Sequence, residues 1–209
     1  MHILIFGASG ATGQELVKLA LTQGYFVTAF VRTPSKLTIK HNNLRIFQGD
    51  VTDAVAVDKA VKGQVAVLCA LGASSPFKRD FALTDGVRNI ARAMEKNNVQ
   101  RLIYLSVRGV RENQKDLGFF TNFIIAPLLQ NVIKDHEDKE HIIKQSQLDW
   151  TIVRPPMLTN GKYTGKYRTG EHLKLRPFLF GISRADLADF MLQQLKEDTF
   201  SKKAPLILH

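Results

Sequence analysis

Three glycines near the start of the chain are spaced for binding a phosphate group. Gly7, Gly10 and Gly13 lie in the segment GASGATG, which follows a short apolar run and precedes a helical pattern. A strand that turns through glycines into a helix leaves backbone N–H groups free at the helix start, where they can bind an anion. The segment therefore predicts a nucleotide phosphate site. The alternative is a tight turn that serves only to pack a strand against a helix.

A positive charge stands where many nucleotide-binding units carry an acid. In units that bind NAD, an Asp or Glu roughly 20 residues after the turn accepts the ribose 2′-OH, whereas an Arg accommodates the 2′-phosphate of NADP. Here no acidic residue lies between Glu15 and Asp50, but Arg32 and Lys36 do. These two side chains are either solvated charges at a sheet edge or contacts of a 2′-phosphate. They predict NADP rather than NAD.

Several small or polar residues fall at the ends of predicted strands, where a parallel sheet places its ligand crevice. Asp50 either caps the following helix or touches the adenine. Gly72 borders the crevice or serves only as a turn. Ser106 follows Tyr104 by two residues and therefore shares its face of the strand. Its hydroxyl either meets a nicotinamide or substrate, or satisfies nearby backbone.

The segment from Asp135 to His141 contains histidines and carboxylates but lacks the spacing of a metal site. His136 and His141 are five residues apart, which puts them on different faces of a helix, whereas zinc chemistry of the HExxH type needs a separation of four. The segment instead predicts a mostly solvated helix with ion pairs Asp135–Lys139 and Glu140–Lys144. We expect no metal, and Cys69 is predicted to be a small core residue.

Composition is typical of a soluble globular protein. The 209 residues carry a net charge of +10, spread along the chain without a block of like charges. This charge suits a small anionic ligand as well as nucleic acid, and we expect no nucleic-acid partner. One cysteine and the lack of a signal peptide pattern predict a cytoplasmic protein. The apolar run within residues 117–133 is too short and too interrupted for a membrane span.

Strand and helix patterns alternate along the chain, which predicts an α/β fold: a doubly wound, mostly parallel, Rossmann-like sheet in a single domain covering residues 1–209. Residues 107–134 and 157–180 interrupt the alternation and are predicted to be excursions on the substrate side. The apolar 117–133 stretch is either core, a lid over a cleft or a dimer surface, so we expect a monomer or a dimer. The predicted strands are 1–6, 26–32, 44–49, 65–71, 101–106, 150–154 and 205–208, and the predicted helices are 12–23, 54–61, 81–96 and 184–195 with Ser183 as N-cap.

The order of these motifs resembles the atypical short-chain dehydrogenase/reductases. Within them the chain is similar to the NmrA-like branch and, more narrowly, to the biliverdin reductase B or flavin reductase type. The likeness extends over nearly the whole chain. The residues that carry it are GASGATG, Val31-Arg32, Gly49-Asp50-Val51, Ala70-Leu71-Gly72, Ser106, the run from Leu148 to Pro155, and the run from Ser183 to Ala188.

The resemblance implies a role for each matching residue. It implies that Arg32 and Lys36 bind the 2′-phosphate, that Asp50 and Val51 border the adenine, and that Ser106 is the catalytic serine of the fifth strand. The residues implied to bind the pyrophosphate are Gly7, Ser9, Gly10, Ala11, Thr12 and Gly13, and those implied to flank the nicotinamide ribose are Leu71, Gly72, Pro155, Pro156 and Met157.

The chain departs from typical short-chain reductases at the proton donor. Counting back from Arg154-Pro155, the YxxxK pair of such enzymes falls at Val132 and His136, so the tyrosine is absent. His136 could still contact a ribose. The biliverdin reductase B type also lacks this tyrosine and reduces flavins and tetrapyrroles, which need little acid assistance.

We therefore expect an NADPH-dependent reductase that transfers hydride to a planar, conjugated, anionic or aromatic acceptor, namely a flavin, a quinone or a tetrapyrrole. The alternative is a non-catalytic NADP(H)-binding redox sensor of the NmrA-like type. A sugar-nucleotide epimerase is disfavoured by the missing tyrosine and the short C-terminal part.

Overall fold

A computed structural model describes residues 1–72, 80–108, 130–173 and 181–209, without the side chains of Gln130 and Val132. Most of the apolar 117–133 stretch therefore lies outside the described residues. The same holds for the greater part of the first predicted excursion and for the end of the second.

Six parallel strands form the central sheet, in the order β3-β2-β1-β4-β5-β6. This order, which reverses at β1, is that of a Rossmann fold. The predicted fold class is confirmed, and each predicted strand of the sheet agrees with the structure within two residues. The strands are β1 (His2–Phe6), β2 (Phe26–Val31), β3 (Leu44–Gln48), β4 (Ala66–Cys69), β5 (Arg101–Leu105) and β6 (Asp149–Val153).

Helices cover both faces of the sheet. Side chains alternate along β1, so that Ile3 and Ile5 face one apolar core while Leu4 and Phe6 face the other. The first core contains α1 (Ala11–Thr22) and α5 (Arg184–Gln193). The second contains α2 (Ala54–Val61), α3 (Phe81–Lys96) and α4 (Gln130–Gln145). In the described part of the chain, no helix is long and apolar enough to cross a membrane.

Two small ladders lie beside the sheet. β7 (Met157–Thr159) pairs in parallel with β9 (Gly181–Ser183), and β8 (Arg168–Gly170) pairs antiparallel with β10 (Leu206–Leu208). The prediction that residues 205–208 close the sheet is therefore wrong in part. The chain turns at Lys202, whose φ is +52°, and residues 203–206 meet the edge of the sheet only through single bridges, including Arg154 to Leu206.

Candidate active site

A cavity of about 800 Å³ lies at the carboxyl ends of the central strands. This is the edge at which open α/β sheets place their ligands. Thirteen of the residues predicted from the sequence line it: Gly7, Ser9, Gly10, Ala11, Thr12, Arg32, Asp50, Val51, Leu71, Gly72, Ser106, Pro155 and Pro156.

Three other predicted contacts do not line this cavity. Gly13 lies behind the glycine turn, where a Cβ would come within 2.0 Å of the Gly7 carbonyl oxygen, so it packs helix against strand. Lys36 is exposed in a short 3-10 turn. Met157 is 66% exposed, and Leu158 lines the cavity instead, because successive residues of β7 face opposite sides.

The glycine turn is built for an anion. Gly7 has a φ of +75°, which side chains disfavour, and a Cβ there would lie 2.4 Å from the Ala70 carbonyl oxygen of the neighbouring strand. Gly10 is the N-cap of α1 and has no side chain to accept a backbone N–H. The first turn of the helix also has no acidic residue. Its free N–H groups therefore suit a negatively charged ligand.

Arg32 and Asp50 stand at the ends of β2 and β3, on the same wall of the cavity. Asp50 accepts hydrogen bonds from the Thr52 backbone N–H at 2.9 Å and the Thr52 hydroxyl at 2.8 Å. These bonds and the nearby charge of Arg32 hold the pKa of Asp50 below its usual range. The N-cap of α2 is Asp53, not Asp50, since Asp53 accepts the N–H groups of Val55 and Ala56. Of the two roles weighed for Asp50, helix capping is thus excluded.

Ser106 follows β5 and is bonded to a buried carboxylate. Its Oγ lies 2.6 Å from Oε1 of Glu140. Glu140 also accepts hydrogen bonds from the Arg154 guanidinium, from Nε at 3.0 Å and from Nη2. All three side chains are buried. Ser106 therefore connects the cavity wall to an ion pair between α4 and the residue that follows β6.

The expectation of a mostly solvated helix in this region is wrong for its inner face. The predicted pairs Asp135–Lys139 and Glu140–Lys144 both form, but Asp135, Lys139 and Glu140 are buried. They are buried because α4 packs on α3, and Asp135 accepts the backbone N–H of Asp80 at 3.1 Å. A charged helix can bury this face because each charge has a partner.

His136 occupies the same face of α4 one turn before Glu140 and lines the cavity. Its Nδ1 lies 3.5 Å from Ser106 Oγ. Burial lowers the pKa of His136 from 6.5 to about 4, with the charge of Lys139 acting in the same direction, so the imidazole is neutral at pH 7.

The second histidine of the helix, His141, is exposed. The described residues contain no cluster of three or more potential metal ligands, so no metal site is found among them. As predicted, Cys69 is a buried core residue, and burial raises the pKa of its thiol to about 12.

The sequence interpretation did not assign Glu140 and Arg154 to the site. A signal for Glu140 was present, since Ile133, His136, Glu140 and Ile143 recur at helical spacing and form one stripe of α4. The sequence contained no comparable signal for Arg154, which is placed by the register of β6 against β5. Other lining residues not predicted from the sequence include Phe30, Thr52, Asp80, Leu83 and Arg184.

Comparison with known proteins identifies the family. Residues 7–198 match the profile of a family described as NAD(P)H-binding. The chain belongs to this NAD(P)H-binding family. The prediction of a nicotinamide dinucleotide cofactor is thereby confirmed.

Among curated proteins, relatives match different parts of the chain. A 3 beta-hydroxysteroid dehydrogenase/Delta 5→4-isomerase from Mycobacterium tuberculosis is 34% identical over 120 residues, which are 52% of this chain and 32% of that protein. The chain thus spans about a third of the length of the first curated relatives it matches. UPF0659 protein YMR090W of Saccharomyces cerevisiae is 27% identical over 218 residues, covering 100% of this chain and 92% of that protein.

Solved structures share the fold along the whole chain. The oxidoreductase ylbE from Lactococcus lactis has a TM-score of 0.84 at 22% identity and covers 99% of this chain and 90% of its own. A short-chain dehydrogenase/reductase from Veillonella parvula in complex with NADP has a TM-score of 0.83 at 19% identity, covering 99% and 93%. ChuY, an anaerobillin reductase from Escherichia coli O157:H7, has a TM-score of 0.82 at 22% identity, covering 99% and 96%.

The buried ion pair yields a prediction about stability. Arg154→Met leaves Glu140 buried without its guanidinium partner, and we expect the free energy of unfolding to fall by about 3–5 kcal/mol. The double variant Glu140→Leu/Arg154→Met should recover most of this loss, because it removes both charges of the pair and leaves neither of them buried without its partner. Urea denaturation measures both.

The control is Lys96→Met, which breaks an exposed pair with Asp58 and should change stability by less than about 1 kcal/mol. A double variant no more stable than Arg154→Met would contradict the interpretation of the pair.

The lowered pKa of His136 predicts a pH dependence of stability. Between pH 6.5 and about 4 the unfolded chain binds a proton at this histidine and the folded chain does not. The free energy of unfolding should therefore fall as the pH falls through this window, by up to about 1.4 kcal/mol per pH unit. Urea denaturation at a series of pH values should show a shallower dependence for His136→Gln. His141→Gln, at an exposed position of the same helix, should keep the wild-type slope, and equal slopes for all three proteins would contradict the prediction.

Proposed function

We propose that this protein is an NADPH-dependent reductase that transfers hydride to a planar conjugated acceptor. The supporting observation is a single cavity in which the glycine turn and Arg32 occur together with Ser106 and His136. One part of its wall suits phosphates, and another carries polar side chains beside apolar ones. The acceptor is a flavin, a quinone or a tetrapyrrole.

The residues present fit NADPH. The uncapped start of α1 between Ser9 and Thr12 would hold the pyrophosphate, and Arg32 would hold the 2′-phosphate. Asp50 and Val51 would border the adenine, while Leu71, Gly72 and Pro155 would flank the nicotinamide ribose. When bound, NADPH supplies the hydride. The protein's part is to orient it and to keep water away from the reacting atoms.

The acceptor side of the site favours chemistry that needs little acid catalysis. Val132 stands where a tyrosine donates a proton in typical short-chain reductases. His136 is neutral at pH 7 and its low pKa leaves almost no protonated imidazole to act as an acid. Leu71, Pro156 and Leu158 add apolar wall against which a flat ring system can lie. Conjugated acceptors can delocalise the electron pair of the hydride, so they suit such a site.

The similarity to ChuY favours a bilin among these acceptors, because that protein is an anaerobillin reductase with the same fold over the same length.

The missing tyrosine also fits a second function. A protein that binds NADP(H) without turning it over would act as a redox sensor, and the same residues would hold its ligand.

A turnover assay tests the proposal. NADPH oxidation is followed by the loss of nicotinamide absorbance with FMN, a benzoquinone and biliverdin as acceptors, while NADPH binding is measured by calorimetry. We expect oxidation with at least one acceptor and a slower rate in Ser106→Ala with NADPH binding retained. NADPH binding without oxidation by any acceptor would overturn the reductase and support the sensor.

Replacing Arg32 tests the choice of cofactor. Arg32→Ala should weaken NADPH binding by about tenfold or more while changing NADH binding little, since a charge-assisted contact to a phosphate is worth roughly 1.5–3 kcal/mol. Dissociation constants for both nucleotides measure this.

Lys36→Ala should weaken NADPH binding less than Arg32→Ala does, because the Lys36 side chain does not line the cavity. Arg45→Ala, at an exposed position, is the control. An equal loss of affinity for NADPH and NADH in Arg32→Ala would remove Arg32 from the 2′-phosphate role.

A further inference from the structure

The hydrogen bonds around Ser106 run in one direction. Arg154 donates to both oxygens of the Glu140 carboxylate, and an ionised carboxylate can only accept. Ser106 Oγ lies 2.6 Å from Oε1 of Glu140. The single hydroxyl proton of Ser106 must therefore point at Glu140. Both partners are buried, so water does not compete for it.

The direction of the Ser106 proton determines which nitrogen of His136 carries hydrogen. With its proton committed to Glu140, Ser106 offers only lone pairs to other groups. The neighbouring Nδ1 of His136, at 3.5 Å, can then interact favourably only as an N–H donor. Because the imidazole is neutral at pH 7, its Nε2 is left without a proton and is an acceptor.

We propose that Glu140 is a positioning residue that makes Ser106 and His136 hydrogen-bond acceptors, so that this part of the cavity selects bound groups carrying N–H donors. Two sources supply such a group. One is the carboxamide of a nicotinamide, and the other is the imide or lactam N–H of a flavin or bilin acceptor. Quinones carry only oxygen acceptors and are disfavoured. The acceptor part of this inference rests on the proposed function.

A second buried ion pair on the same helix provides a matched comparison. Asp135 and Lys139 pair across the turn of α4 that ends directly before Glu140, and both are buried. Asp135 is directed to the start of α3, where it accepts the N–H of Asp80. If buried charge alone determined which nitrogen of His136 carries the proton, replacing either ion pair would have the same effect on that proton.

Nitrogen NMR of isotope-labelled histidine tests the hydrogen-bond direction without any ligand. The His136 signal, assigned by its loss in His136→Gln, should show the proton on Nδ1 at pH 7 in the wild type. In Glu140→Leu/Arg154→Met the Ser106 hydroxyl is free to donate to Nδ1, so the proton should move to Nε2. Asp135→Leu/Lys139→Met should keep the wild-type pattern.

A wild-type His136 with its proton on Nε2 would overturn the proposal, and this measurement needs only the assignment variant His136→Gln to fold. An unchanged signal in a folded Glu140→Leu/Arg154→Met protein would overturn it as well.

Two further comparisons identify the source of the N–H group. Binding of NADPH is compared with binding of its analogue in which an acetyl group replaces the carboxamide, and kcat/KM for riboflavin is compared with that for riboflavin methylated at its imide nitrogen. We expect at least one comparison to favour the N–H compound by about tenfold in the wild type. The preference should fall to about twofold in Glu140→Leu/Arg154→Met and persist in Asp135→Leu/Lys139→Met.

No preference in either comparison would overturn the selection of N–H donors. Failure to reduce FMN, a benzoquinone and biliverdin alike would instead contradict the proposed function, while the NMR result and the binding comparison would still decide the role of Glu140.

Discussion

The ion pair between Glu140 and Arg154 is the interaction on which the chemical side of the cavity depends. It joins the middle of α4 to the point where the chain leaves β6, and the Ser106 hydroxyl is bonded to it. A charge taken out of water is tolerated only when its partners are complete. The ends of β5 and β6 and the inner face of α4 must therefore keep their mutual positions. Ser106 and His136, which line the cavity, are therefore held in fixed positions relative to each other.

The two parts of the cavity rest on different physics. The phosphate-binding part is made of backbone: the positive φ of Gly7, its close approach to Ala70, and the contact of Gly13 with Gly7 leave no room for side chains. The part around Ser106 and His136 is made of side chains held by hydrogen bonds. Backbone geometry restricts the first part to a narrow range of sequences. Side chains in the second can change without altering the fold, so differences in reaction chemistry between similar folds can arise there.

Much of the fold and half of the site followed from local patterns. The glycine turn, Arg32 and Ser106 stand next to strand ends, and a parallel sheet brings all strand ends to one edge. The burial of the inner face of α4 could not be predicted in the same way. A helix with this many charged residues is expected to be solvated, and only the tertiary structure shows that Arg154 lies opposite Glu140. The exposure of Met157 depends on the pairing of β7 with β9. The antiparallel partner of β10 likewise comes from a contact between distant segments.

The two edges of the central sheet differ in their protection against other chains. Beyond β6 the segment containing Lys203 and Leu206 covers the edge with single bridges. At the opposite edge, β3 pairs within the described residues only with β2, which leaves one row of its backbone groups open. Exposed Arg45 is the second residue of that strand, and charged residues on an edge discourage another strand from adding to it. Part of the positive charge of this protein thus opposes the aggregation to which an open β-edge is prone.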